Sequence, residues 1–136
     1  MYSNIEKQFK KHVLECVIDC LDDYENATDF EFIIHDEIYS MIYYSRCNQF
    51  ITDSGCNVWD VISFASELYK DMTGENIPTE NINSEFVCNF IFNHYAHILV
   101  SDLEHNFDSF EELGDIKKEV KEYLNNYIEK FDLLPF

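Results

Sequence analysis

Residues 84–105 read SEFVCNFIFNHYAHILVSDLEH. The segment contains no Gly or Pro, and only Glu85, Asp102 and Glu104 carry a formal charge. Phe86, Val87, Phe90, Ile91, Tyr95, Ile98 and Leu99 recur at steps of three and four, the spacing of residues that share a helix face. Together they cover more than half of the circumference, so the helix must be covered on several sides. The segment is expected at the centre of an all-α, single-domain bundle, with the rest of the chain supplying the cover.

The flanking segments supply it with about four more helices. A capping box of Ser3 and Glu6 opens the first, and Ile5, Phe9, Val13, Cys16, Val17, Cys20 and Leu21 form its apolar stripe. Residues 23–29 read as a polar loop and residues 30–50 as a second helix, although 31–34 also suit a strand. Thr52-Asp53-Ser54-Gly55 is turn chemistry. Asn57 can cap a third helix with a stripe of Val58, Val61, Ile62, Ala65, Leu68, Tyr69 and Met72, and Gly74 suits the position just past its end. Residues 106–114 read as a short acidic connector or a single helical turn, residues 115–131 as the last helix, and Leu133-Leu134-Pro135-Phe136 as an apolar tail expected to pack on the body. The chain of 136 residues is long enough for one domain with a real core.

Charge is the second theme. Residues 12–45 hold nine carboxylates, Glu15, Asp19, Asp22, Asp23, Glu25, Asp29, Glu31, Asp36 and Glu37, and no Lys or Arg. Residues 71–116 hold ten more, again without a basic residue, and the whole chain carries −18. Solubility asks for a net charge of only about 2 to 8 in a small domain. Such a field attracts cationic surfaces and repels phosphate backbones and anionic membranes, so neither nucleic acid nor a membrane is an expected partner. With hydrophobic residues at 46% and aromatics at 16%, the chain is not a disordered acidic tail. On the first helix Lys7, Lys10 and Lys11 precede Glu15, Asp19, Asp22 and Asp23, an order that opposes the helix dipole at both ends. The four acids fall at i, i+4, i+7 and i+8, and a stripe of that kind has a charge density comparable with that of a nucleic-acid strand. The nine carboxylates of residues 12–45 are therefore the candidate partner-binding set.

Catalytic and metal chemistry find little footing. There is no Gly-rich phosphate loop or nucleophile elbow, and acidic pairs are too abundant to single one out as acid and base. His94 and His97, with Cys88 and His105 on the same segment, lack the spacing of zinc signatures. Residues 23–28 lack the Gly and ligands of a calcium loop. Cys16 and Cys20 share a helix face that packing explains, and five cysteines without CxxC pairs read as buried thiols in a reducing compartment. No signal-like run opens the chain and no apolar stretch suits a membrane span. The expectation is a cytoplasmic protein, not an enzyme, with no cofactor and no metal.

In size, charge and base-free runs the chain resembles the small acidic proteins of phages and mobile elements that imitate nucleic acid, namely the anti-restriction and anti-CRISPR inhibitors. The resemblance covers most of the chain and rests on no residue motif. It implies a partner that is a basic nucleic-acid-binding protein, a CRISPR nuclease or restriction enzyme, and assigns no residue a role. On the charge reading, the nine carboxylates would grip that partner, with Tyr24, Tyr39 or Tyr44 as anchors. The alternative is an acidic helical adaptor, immunity protein or chaperone that binds a client protein, the adaptor or chaperone doing so through apolar surface rather than charge.

Overall fold

The computed structural model describes the backbone of residues 3–133 and the side chains of residues 4–129. Six α-helices follow one another among the described residues: α1 Ser3–Cys20, α2 Thr28–Tyr43, α3 Cys47–Asp53, α4 Val58–Thr73, α5 Ser84–Asn106 and α6 Lys117–Leu133. Short 3-10 turns occupy Leu21–Asp23 and Thr79–Asn81. The only strand-like pairing among the described residues is one antiparallel bridge between Asn26 and Glu112. The all-α expectation holds, with six helices in place of about five. The Ser3 cap and the tail 133–136 lie outside the described side chains.

The additional helix comes from a break within residues 30–50. Ser45 adopts the left-handed conformation, φ 54°. The Arg46 amide then donates to the Met41 carbonyl at 2.8 Å and the Ser45 amide to Ile42 at 3.1 Å. These are the two bonds of a Schellman close, normally built with Gly or Asn at the left-handed residue. The same pair of bonds closes α3 around Gly55, φ 76°, from Gly55 to Thr52 and from Cys56 to Ile51. A side chain in this conformation costs about 1–2 kcal/mol. Ser45→Gly is accordingly expected to stabilise the fold by about 1 kcal/mol, read as a higher urea midpoint with an unchanged slope. No change would mean that another contact offsets the strain at Ser45.

Asparagine caps α4 and α5. The Asn57 side chain accepts from the Trp59 amide at 2.8 Å, and that of Asn83 from the Phe86 amide at 2.9 Å. Gly74, φ 77°, ends α4 with its amide on the Lys70 carbonyl. α5 packs against α1, α2, α3 and α4, while α6 packs on α1 and the turn 21–23. The central position read for residues 84–105 is therefore the observed one, but the buried set differs. Val87, Cys88, Ile91, Phe92, Tyr95, Ala96, Leu99, Val100 and Leu103 are buried. Phe86 and Phe90 sit at the core edge, and Ile98 is exposed. α4 is peripheral: of its expected stripe only Val61 and Ala65 are fully buried, and Met72 faces solvent.

Four rings meet where α1, α3 and α5 converge, Phe9 and Phe92 buried in the core and Phe50 and His12 at its edge. Phe9 and Phe92 have centroids 4.7 Å apart, Phe50 lies 5.2 Å from each, and His12 lies 4.9 Å from Phe50 and 5.1 Å from Phe92. No described helix is long and apolar enough to cross a membrane.

Candidate binding surface and the α1–α2 seam

α2 is a ridge. Phe30, Ile33, Ile34, Ile38 and Met41 face the core. On the opposite side Phe32, Tyr39 and Tyr43 fall at i, i+7 and i+11, one line along an α-helix. Phe32, Tyr39 and Tyr43 are 65%, 65% and 68% exposed, so this crest is without intramolecular cover. Tyr39 stacks on Tyr43, and Tyr43 meets Tyr44 edge-on. The Arg46 guanidinium sits over the Tyr44 ring at 5.5 Å, the contact an aromatic surface offers to a cation.

Carboxylates lie on both flanks of the ridge. On the α5 side Glu31 lines a cleft with Val100 and Glu104 and with Glu111 and Glu112 of the connector. Glu104, Glu111 and Glu112 also line an adjoining cleft with Asp108. No Lys or Arg lines either cleft among the described residues. The backbone that brings the two acidic runs together is the Asn26–Glu112 bridge, with the Leu113 amide donating to the Glu25 carbonyl at 2.9 Å. Neither run predicts this meeting. It adds Glu104, Asp108, Glu111 and Glu112 to the candidate residues.

On the α1 side the candidate carboxylates divide by role. Glu15, Asp19, Asp23 and Asp36 are exposed around the seam between α1 and α2. Their charges, with that of Glu37, act on Cys16, Cys20 and Tyr24 within it. Partial burial first, and Asp23, Asp19 and Glu37 after it, hold the Cys20 thiol above its ordinary value, while Tyr24 is raised by burial, then by Cys20, Asp23, Asp29 and Asp36. Asp29 is occupied locally, accepting from the Glu25 and Asn26 amides at 3.2 and 3.3 Å, and thereby shapes the entry to α2. Asp22 faces α6: Lys121 Nζ lies 3.6 Å from its carboxylate, and Lys117 Nζ donates to its carbonyl oxygen. Because α1 ends at Cys20 and a 3-10 turn follows, Asp22 and Asp23 do not continue the line of Glu15 and Asp19. Glu25 and Glu31 are exposed, and Glu37 turns inward toward α1.

Inside the seam lies a group that the sequence reading passes over. His12 Nε2 is 3.7 Å from Cys16 Sγ and 3.7 Å from Glu37 Oε1. Burial lowers the His12 pKa, against the pull of Glu37 and Glu15. Burial, reinforced by Glu37 and further neighbours, pushes the Cys16 thiol up to about 12. A nucleophilic cysteine needs the opposite shift. The Cys–His–Glu sequence of contacts is therefore not poised for thiolate attack.

The histidines of α5 do not converge in this way. Cys88 is buried and hydrogen-bonds Cys47, which raises the Cys88 thiol and lowers that of Cys47. His105 bonds the Ser101 carbonyl. His94 is half-buried, and burial, His97 and Lys10 lower its pKa from 6.5 while Glu6 opposes them. Below 6.5 the unfolded chain then takes up the His94 proton before the folded one does. Stability should fall as the pH drops through that value and level off below the folded pKa. His94→Gln should make this part of the melting-temperature profile shallower. An unchanged profile would mean that His94 titrates as a free imidazole does.

Comparison with protein-family models, curated proteins and solved structures finds no match to this chain.

Proposed function

We propose that this protein is a non-enzymatic inhibitor that occupies the cationic nucleic-acid-binding groove of a nuclease, such as a CRISPR effector or restriction enzyme, by acidic charge mimicry. The observation that carries this reading is the α2 ridge: an uncovered aromatic crest between two carboxylate flanks, on a helix without Lys or Arg. Glu31, Glu104, Glu111 and Glu112 on one flank, and Glu15, Asp19, Asp23 and Asp36 on the other, would pair with the Arg and Lys side chains that normally grip phosphates. Tyr39, Tyr43 and Phe32 would give the apolar anchor that charge alone does not provide. The long-range field would steer association and make it sensitive to salt.

The crest also favours a second reading, an acidic adaptor, immunity protein or chaperone whose aromatic face holds a client. Salt separates the two. The immobilised protein is exposed to a bacterial lysate and eluted first with excess duplex DNA or RNA, then with a salt gradient. Mimicry predicts a nuclease released by nucleic acid or by moderate salt. A client retained through high salt and indifferent to nucleic acid would favour the adaptor.

A further inference from the structure

We propose that His12, Cys16 and Glu37 form a three-ligand site for zinc or a similar divalent transition ion, stapling α1 to α2. The proposal is independent of the inhibitor reading. His12 and Cys16 are i and i+4 on α1, the offset at which two helical side chains converge on one ion, as in the HExxH zinc motif. Glu37 reaches in from α2. Among the described residues this is the one group of His, Cys, Asp or Glu in which three ligand atoms lie within 4.8 Å of one another.

The distances fit the ion. Bonds of about 2.3 Å to sulfur and about 2.0–2.2 Å to nitrogen and oxygen at a tetrahedral angle place S and N about 3.6 Å apart and N and O about 3.4 Å apart. The observed separations are both 3.7 Å. The third pair, Cys16 Sγ to Glu37, lies within 4.8 Å, and the soft terminal torsion of Glu37 can shorten it. The His12 ring is held in place by Phe50 and Phe92, and Val13, Ile34 and Ile38 line the cavity beside the group. An apolar shell of this kind limits solvent access and lowers the dielectric around a bound ion.

Donor chemistry narrows the choice of ion. A thiolate and an imidazole select zinc, or cobalt in its place, over magnesium and calcium. The thiolate and the carboxylate neutralise the dication, and Glu15 and Asp19 nearby favour its entry. Binding releases the Cys16 proton to solvent and involves no redox step. Water fills the fourth position.

The test titrates the full chain, metal-free and kept reduced with a phosphine, with cobalt(II) and then zinc. The expected result is one cobalt per chain, with a thiolate-to-cobalt charge-transfer band in the near ultraviolet that zinc abolishes. Weak cobalt binding to surface carboxylates gives no such band. Cys16→Ser should remove the band and Cys20→Ser should keep it. Glu37→Gln, which leaves the thiol in place, and His12→Gln should each weaken cobalt binding at least about tenfold. Thermal melts establish that each variant folds. If Cys16→Ser does not, the Glu37→Gln affinity decides. The proposal is overturned if no thiolate band forms at stoichiometric cobalt, if the band survives Cys16→Ser, or if folded Glu37→Gln binds cobalt as tightly as the parent.

Discussion

Reversing Glu31, Glu104 and Glu111 to lysine together should weaken binding to the nuclease by at least about a hundredfold, or about 3 kcal/mol. All three are exposed and line one cleft that contains no basic residue among those described. The matched control is Glu119, Glu122 and Glu129 on α6, changed to lysine in the same number. There Lys117, Lys118 and Lys121 stand on the same helix, and Lys121 is already within reach of Asp22. The control should cost less than about tenfold, and mostly in association rate. A third variant, Asp19, Asp23 and Asp36 to lysine, tests the other flank and omits Asp22, whose field α6 partly cancels. Mimicry across the ridge predicts that both flank variants fail and the control does not. Equal effects of all three would show that only net charge matters. Full binding by all three, with loss on Tyr39→Ala and Tyr43→Ala, would move the protein to the adaptor class.

Phe92→Ala should cost about 3–5 kcal/mol of stability, the range for removing a buried aromatic ring. Phe92 is fully buried on α5 and meets Phe9, Phe50 and His12, so the change opens a cavity where three helices converge. A domain of this kind has only about 5–15 kcal/mol in total. The variant is therefore expected to melt far below the parent and to approach unfolding at ordinary temperature. Phe32→Ala, the same chemical change on the crest, should stay within about 0.5 kcal/mol. Urea unfolding of the pair checks both values. Similar losses at the two positions would contradict the division of α2 and α5 into core and outer faces.

Much of this architecture could be read from periodicity and caps. The central helix, the Asn57 cap and the Gly74 stop are where their residue types indicate. The break at Ser45 was not legible, because a serine in the left-handed conformation has no sequence signature and neither Gly nor Pro marks it. The buried set of α5 was only half legible. A helix covered on several sides loses its one-sided pattern, so Cys88, Phe92, Ala96 and Val100 carried no more signal than Phe86, Phe90 and Ile98. The acidic surface could be foreseen in kind but not in composition. Glu104, Glu111 and Glu112 join Glu31 only through the Asn26–Glu112 bridge, a contact between distant segments. Likewise Glu37 and Asp29 look like free carboxylates in the sequence and are engaged in the fold. The His12–Cys16 offset was visible, but Cys20 offered the same spacing from Cys16, and only the packing of α2 on α1 distinguishes them.

The most direct measurement is displacement. The captured partner is loaded with fluorescent duplex or guide RNA and titrated with this protein while anisotropy and complex mass are followed together. Charge mimicry predicts that the label is driven off completely as one protein binds per groove, with an apparent affinity that weakens as salt rises. A ternary complex, with the label still bound while the protein occupies the partner, would contradict it.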